Sequence, residues 1–156
     1  MNCLNKMQLI IRNESFFTHI LTEINAGHKV VIPSKGNSML PFIRPKTDEI
    51  ELSPLDEKSI QKGNIVLAKT EANSYVIHRI ERIEKDTITL RGDGNLNTRE
   101  YCSTGQVIAE VTAIIRRNRK ITKDDINWSL HRSLWFSNSL FRRLYLGTLR
   151  RLSSKI

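Results

Sequence analysis

Short runs that alternate apolar and polar residues or, at 65–68, are wholly apolar fill the middle of the chain between polar turns and limit what it can fold into. The runs lie at 50–52, 65–68, 74–83, 87–90 and 107–115. A period of two places one face of a strand against a core and the other in water. Because the turns between the runs are short, neighbouring strands can pair antiparallel. The sequence therefore predicts a mainly β (α+β) domain built on a small, largely antiparallel sheet or barrel.

Two segments with helical spacing flank this β-rich part. In residues 7–26 the apolar positions recur near a period of 3.6 residues, and Gly27 provides a stop before a short strand at 29–33. Residues 128–152 return to helical spacing, with arginines around an apolar side of Trp, Phe and Leu. The chain is thus predicted to comprise an N-terminal helix (1–27), a β-rich domain (28–115) and a basic amphipathic tail (116–156).

Length and composition exclude several classes of protein. A chain of 156 residues can bury one hydrophobic core, and 39% hydrophobic with 26% charged residues is typical of a folded, soluble protein. The two cysteines and four histidines have no metal-binding spacing, so we expect no zinc site and no cofactor. There is no run of 18 apolar residues and no export-signal pattern at the N-terminus. We expect a cytoplasmic protein, with peripheral membrane attachment as an alternative.

The net charge of +9 is concentrated at the C-terminus. Residues 1–115 hold 14 basic and 14 acidic residues, whereas residues 116–156 hold eleven basic residues against two aspartates. A basic helix with Trp, Phe and Leu on its other side is typical of peptides that bind anionic membrane surfaces. The alternative is a helix that packs its apolar side on the domain. Nucleic acid is a less expected partner, because the aromatic residues cluster with leucines.

Three polar residues in separate segments are candidates for catalysis. Ser38 follows a glycine-containing turn, His78 lies in an alternating strand, and Asp93 lies between two glycines. A serine hydroxyl becomes a useful nucleophile only when a base accepts its proton, and a histidine base benefits from a carboxylate on its other nitrogen. Each residue also has an ordinary interpretation, as a turn serine, a strand histidine and a hairpin aspartate.

The order of the motifs resembles that of the signal peptidase I and LexA-type serine peptidases. The motifs are Gly-x-Ser-Met-x-Pro within Gly36–Arg44, Gly-x-Ile-Val within Gly63–Ala68, a strand with His-Arg within Tyr75–Ile80, and Gly-Asp-x-Asn within Gly92–Asn95. The resemblance covers about residues 30–115. A histidine in place of the usual lysine is similar to the branch of archaeal and endoplasmic-reticulum signal peptidases. Histidine titrates near neutral pH without desolvation, so the replacement is chemically sensible.

The resemblance implies a role for each candidate residue. Ser38 would be the nucleophile, with its own N–H as the first donor to the oxyanion, and His78 would be the general base. Asp93 matches the Gly-Asp motif and is the candidate that orients His78, with Glu100 as the alternative. The sequence departs from the family at Asn64, which replaces an aspartate, and at Gly36, which replaces a hydroxyl residue in many signal peptidases. Signal peptidases carry a membrane anchor before the serine, whereas residues 1–37 hold no run of 18 apolar residues, so we expect no such anchor in this segment.

Three functions follow as hypotheses. The first is a serine endopeptidase of the signal-peptidase type that cleaves an extended, leader-like peptide with small side chains beside the scissile bond. The second is a LexA-type regulator that cleaves itself, for which Ala26-Gly27 is the available small-residue pair, only eleven residues from Ser38. The third is a non-catalytic binding module of the same fold, with a tail that docks on a membrane or on nucleic acid.

Overall fold

The computed structural model describes residues 13–137, which form a mainly β domain with a helix at each end. The elements, in chain order, are α1 (Asn13–Asn25), β1 (Val30–Pro33), β2 (Asp48–Ser53), β3 (Ile65–Lys69), β4 (Tyr75–Glu84), β5 (Thr87–Arg91), β6 (Glu100–Ser103), a 3-10 turn (Thr104–Gln106), β7 (Val107–Arg116), β8 (Arg119–Thr122) and α2 (Ile126–Ser137). The predicted fold class is confirmed.

The strands form one antiparallel sheet that curls into a half-barrel. Its order is β1-β2-β7-β3-β4-β5-β6, with β8 paired to the end of β7. All the strand pairs are antiparallel, as the short connections predict. Within residues 13–137, β1 pairs only with β2, and the first half of β4 pairs only with β3. β1 and the first half of β4 therefore each have one edge without a strand partner within this range.

Helix α1 closes one side of the core. Ile20 and Ile24 are buried and pack with residues of β1, β2, β3 and β7. They are four residues apart, so they lie on the same face of the helix. Phe17, on an adjacent part of α1, stacks on Tyr75 of β4 with ring centroids 4.1 Å apart. The amphipathic pattern thus packs the helix against the domain.

Two strands were missed by the sequence analysis. β6 and β8 are four residues long and polar, so neither gives an alternating apolar signal. β8 also lies in the range assigned to the tail, and basic residues in and beside this strand contact carboxylates of the sheet. Arg116 pairs with Asp48, Lys120 with Glu51, and Lys123 with Glu110. Three of the eleven basic residues at 116–156 are therefore neutralised by carboxylates of the domain.

Helix α2 packs on the turn that follows Ser38. Trp128 is buried and meets Phe42 edge to face, with centroids 5.0 Å apart, and His131 lies 4.8 Å from the same ring. On the outer side, Ile126 and Leu130 are exposed. Residues 7–12 and 138–152 of the predicted helices lie outside the described residues. No helix within 13–137 combines the length and apolar character needed to cross a bilayer.

Candidate active site

A cleft of about 630 Å³ lies between β1 and the first half of β4. Its size is that of a typical ligand pocket. Ser38 and His78 both line it, with apolar residues making most of the remaining wall. That wall consists of Phe16, Phe17, Ile32, Pro33, Met39, Ile43, Ile50, Leu67, Tyr75, Val76 and Ile77, with Ser34 and Lys35 as the other polar members. The sequence analysis placed Ser38 and His78 forty residues apart, and the fold brings them to one surface.

The serine turn, residues 36–43, holds Ser38 at the cleft. Gly36 has a φ of +76°, a conformation that favours glycine and turns the chain into the segment. Met39 and Ile43 are buried below the turn, and the Ile43 N–H donates to the Met39 carbonyl at 3.0 Å. The Gly94 N–H donates to the Ser38 carbonyl at 2.7 Å. The Gly-x-Ser-Met-x-Pro motif thus supplies both the bend and the apolar anchors that fix the serine backbone.

His78 is 4% exposed and meets Glu100 rather than Asp93. Its Nδ1 lies 2.9 Å from Oε2 of Glu100, at the start of β6. A carboxylate only accepts hydrogen bonds, so Nδ1 carries the proton and Nε2 of the neutral ring keeps a free electron pair. Burial lowers the pKa of His78 below its usual value, although the charge of Glu100 acts in the opposite direction. The imidazole is therefore neutral, and able to accept a proton, at neutral pH.

The Nε2 side of His78 faces the backbone of Ser38 across Gly92. A methyl group on Gly92 would lie 2.5 Å from the Ser38 carbonyl oxygen and 3.1 Å from His78 Nε2. Only a residue without a side chain leaves both groups in place. Among the described residues, no hydrogen bond joins Ser38 Oγ to Nε2. Nucleophile–base contacts are often long without substrate and shorten when it binds.

Asp93 belongs to a different, buried pair, which corrects the prediction that it orients His78. Its two oxygens accept from Arg79 Nε at 2.8 Å and from Nη2 at 2.6 Å, and neither side chain is more than 1% exposed. Arg79 also donates to the Gly63 carbonyl and lies over the Phe42 ring, 5.4 Å from its centroid. Through these contacts the pair ties together all four motifs. Asp93 therefore has a structural partner, and the carboxylate at His78 is Glu100.

Ion pairs fix the acid loop, residues 92–99, that leads to Glu100. Arg91 donates to the carbonyls of Asn95 and Leu96 and to Glu81, at 2.7 Å for the last. Arg99 donates to the other oxygen of Glu81 at 2.5 Å. Burial would raise the pKa of Glu81, but hydrogen bonds from these two arginines hold it below its usual range. The loop is thus anchored on both sides of the residue that contacts His78.

The remaining sequence predictions concern a self-cleavage site and a metal site. The Ala26-Gly27 pair lies in the turn that ends α1, where Ala26, Gly27 and His28 donate to carbonyls of the last helical turn at 2.9–3.0 Å. This bond is held at a helix end, and neither residue lines the cleft that contains Ser38. In the described part of the chain, no group of His, Cys, Asp and Glu side chains is arranged to hold a metal ion.

Comparison of the chain with protein-family models and with curated proteins finds no match. The function is therefore argued from the site itself.

Proposed function

We propose that the chain is a serine endopeptidase of the signal-peptidase and LexA type, with Ser38 as nucleophile, His78 as general base and Glu100 as the residue that orients His78. One observation gives the proposal most of its support. The two polar partners that the motifs single out line one cleft, and the histidine has a carboxylate on its far nitrogen. A nucleophile, a general base and a carboxylate that orients the base are the three groups that serine hydrolases of unrelated folds share.

In the proposed first step, Ser38 Oγ attacks the carbonyl carbon of the peptide while its proton passes to Nε2 of His78. The carbonyl π bond breaks, and its electron pair moves to oxygen, where the Ser38 N–H donates a hydrogen bond. Glu100 stabilises the imidazolium through Nδ1–H. When the tetrahedral intermediate collapses, the C–N bond breaks and His78 returns the proton to the leaving amine.

The second step reverses these roles with water. His78 Nε2 takes a proton from a water molecule as its oxygen attacks the acyl carbon bonded to Ser38. Collapse breaks the ester bond, His78 protonates Ser38 Oγ, and a carboxylic acid leaves. No metal or redox partner is needed to balance either step.

The substrate that fits is an extended peptide. β1 and the first half of β4 border the cleft, and each has one edge without a strand partner within residues 13–137. A peptide bound between them would gain main-chain hydrogen bonds from these edges, as in β-strand addition. The mostly apolar walls favour apolar side chains, and the family resemblance implies small ones beside the scissile bond.

We further propose that the enzyme works in the cytoplasm, apposed to an anionic membrane surface through the C-terminal segment. Ile126 and Leu130 of α2 are 77% and 53% exposed and lie one turn apart, away from the buried Trp128. Basic residues continue through the sequence beyond them, at Arg142, Arg143, Arg150, Arg151 and Lys155. An apolar stripe with surrounding positive charge has the chemistry that binds anionic lipids.

The experiment is cleavage of a defined peptide library by the full chain, with new termini identified by mass spectrometry. We expect cleavage at a consistent sequence by wild type and none by Ser38→Ala. His78→Ala should reduce kcat/KM by about 10²–10⁴-fold, the usual contribution of a general base. Ser129→Ala, at an exposed serine on α2, is the matched control and should cleave like wild type.

Cleavage that persists in Ser38→Ala would show that another enzyme or residue is responsible. If wild type cleaves no peptide and does not react with a fluorophosphonate, while both variants remain folded, the non-catalytic binding module becomes the better description.

A further inference from the structure

The Nδ1 atom of His131, on helix α2, is buried and has no hydrogen-bond partner, which is true of no other buried side-chain nitrogen or oxygen within residues 13–137. The imidazole ring lies 4.8 Å from the Phe42 ring of the serine turn, tilted by 44°. A buried polar atom without a partner calls for an explanation. A buried N–H at this position would have no acceptor, so the proton of the neutral ring is on Nε2 and Nδ1 is unprotonated.

Two guanidinium groups contact the same phenylalanine. Cζ of Arg79 lies over the Phe42 ring, 5.4 Å from its centroid. Nη2 of Arg116, at the end of β7, donates to the Phe42 carbonyl at 2.7 Å. Phe42 itself is buried. A protonated His131 would therefore add a third positive charge around one buried residue.

The carboxylates in this region already have partners. Asp93, in the acid loop, accepts from Arg79 with both of its oxygens, at 2.8 and 2.6 Å. Asp48, at the start of β2, accepts from Arg116 with both of its oxygens, also at 2.8 and 2.6 Å. Neither carboxylate is hydrogen-bonded to Nδ1 of His131. A proton on Nδ1 would thus bring a charge and a donor into the contact without bringing an acceptor.

The neighbouring charges act on His131 in the same sense. Burial lowers its pKa, and the charges of Arg79 and Arg116 lower it further, whereas Asp93 acts in the opposite direction. The other titratable side chain in the first eight residues of α2 is Arg132, which is exposed and donates to the carbonyl of Lys62 at 3.0 Å. The docked helix therefore holds His131 in its neutral form at neutral pH.

We propose that protonation of His131 releases helix α2 from the serine turn, so that docking of this helix depends on pH. Trp128 lies one turn before His131 and meets the same Phe42 ring edge to face, so both contacts would be lost together. The inference does not depend on the proposed peptidase function.

The direction of the pH dependence follows from linkage. His131 of the released helix is in water and has the usual pKa, about 6.5, whereas the pKa in the docked helix is lower. Docking is therefore complete above the pKa of the released state and weakens as pH falls through it. Between the two pKa values, the docking equilibrium constant should fall about tenfold for each pH unit.

The test is hydrogen exchange of the full chain, followed by mass spectrometry at several pH values from about 7.5 to 5. A short helix released from its packing surface is marginal in water, so its amides lose protection. We expect the protection factor of α2 amides, which corrects for the intrinsic pH dependence of exchange, to fall by up to about tenfold per pH unit. The amides of β3 and β7 should keep their protection over the same range.

Substitutions of His131 test whether this residue is the cause. His131→Phe keeps an aromatic ring against Phe42 and cannot be protonated, so protection of α2 should no longer depend on pH. His131→Leu is a second neutral variant, of smaller volume, with the same expectation. His131→Arg carries a permanent charge and should leave α2 unprotected already at about pH 7.5, with the sheet still protected. His78→Gln removes the other buried histidine and is the matched control, which should retain the pH dependence of wild type.

Four results would overturn the inference. They are protection of α2 that does not change with pH in wild type, an equal fall in both neutral variants, loss of protection by the sheet together with α2, and a His131→Arg helix protected like wild type. The third of these would mean that acid unfolds the whole domain. Because exchange is measured without a substrate, absence of peptide cleavage would overturn the proposed function and leave this result unaffected.

Discussion

At the scale of single residues, removing the Asp93 carboxylate and removing the Glu100 carboxylate should have different effects, because the two groups have different surroundings. Asp93 is fully buried against Arg79, whereas the Glu100 side chain is 24% exposed and contacts His78. Breaking a buried ion pair leaves a charge without compensation. Removing a carboxylate from a histidine base removes the support of the imidazolium. One residue should matter chiefly to stability and the other to catalysis.

We predict that Glu100→Gln lowers kcat/KM by about 10²–10⁴-fold with a change in unfolding free energy below about 1 kcal/mol. Asp93→Asn should lower the unfolding free energy by about 3–5 kcal/mol. Denaturant unfolding and peptide cleavage measured on both variants test this pair of expectations, each variant serving as the control for the other. A stable but inactive Asp93→Asn beside an active Glu100→Gln would return the orienting role to Asp93.

The pH profile of cleavage should show the lowered pKa of His78. Only the neutral imidazole can accept the serine proton, so kcat/KM should rise with pH along an acid limb whose midpoint lies below the usual pKa of histidine, about 6.5. Glu100 raises the pKa of His78, so Glu100→Gln should shift the acid limb to still lower pH while lowering the plateau. His28→Gln, at an exposed histidine, should leave the profile unchanged. An acid limb at or above the usual range would contradict the assignment.

The unfolding free energy should also depend on the protonation of His78, and the direction of this pH dependence follows from the difference between its folded-state and unfolded-state pKa. The folded-state pKa of His78 lies below that of the unfolded chain, so the unfolded state binds more protons as the solution becomes acid. The contribution of His78 is therefore complete above the unfolded-state pKa and is lost as pH falls through it towards the folded-state value.

At the scale of elements, the sequence predicted those strands whose side chains alternate or form an apolar run. Ile65–Lys69 is buried along nearly its whole length, and its apolar residues predicted β3. β8 has no such signal, because pairing with β7 and ion pairs such as Lys120–Glu51 hold it in place. A strand that is stabilised mainly by contacts with neighbouring strands has no local sequence pattern from which it could be predicted.

The site was predictable to a similar extent. Ser38 and His78 are marked by local patterns, a glycine turn and an alternating strand. The choice between Asp93 and Glu100 depends on how the acid loop folds back. Adjacent residues of a strand point to opposite faces, so a carboxylate that meets Arg79 is not placed to meet its neighbour His78.

Helix α2 is the element that joins the tail to the serine turn, through the contact of Trp128 with Phe42. We predict that Trp128→Ala lowers the unfolding free energy by about 3–5 kcal/mol, the usual loss for a buried aromatic residue. Ile126→Ala on the exposed side of the same helix should change it by less than about 0.5 kcal/mol. Chemical denaturation followed by far-UV circular dichroism compares the two. Equal effects would mean that α2 does not stabilise the domain through this contact.

At the scale of the whole molecule, the fold reduces the positive charge of residues 116–156 that is not already paired with carboxylates of the domain. The sequence divides into a neutral part and a segment of +9, but Arg116, Lys120 and Lys123 pair with carboxylates of the sheet. The basic residues of the segment that have no such ion pair are Arg117, Arg119 and Arg132 in the described range, and the rest follow α2 in the sequence. The basic residues without such a pair are therefore weighted towards the C-terminal end of the sequence, after the exposed Ile126 and Leu130.

This distribution leads to a test of the membrane proposal with the full chain. It should bind vesicles that contain phosphatidylserine more tightly than purely zwitterionic vesicles, because each basic residue near an anionic surface adds about 1 kcal/mol. Replacing Ile126 and Leu130 by Ser should weaken binding on the order of tenfold, through loss of the apolar contribution. Leu55→Ser removes an apolar residue that is 36% exposed in the loop after β2, away from α2, and should have no effect.

Salt distinguishes this partner from nucleic acid. Apolar contacts are not screened, so part of the vesicle binding should persist at about 1 M salt, where the Debye length is about 3 Å. Binding to an oligonucleotide depends chiefly on counterion release and falls steeply with salt. Tight oligonucleotide binding with a steep salt dependence, together with no preference for anionic vesicles, would contradict membrane docking. Helix α2 packs on Phe42 of the serine turn, so docking of α2 on a membrane should also affect catalysis. When the same vesicles are added to the cleavage assay, we expect kcat/KM to change for wild type. The variant with Ser at positions 126 and 130 should not show this change.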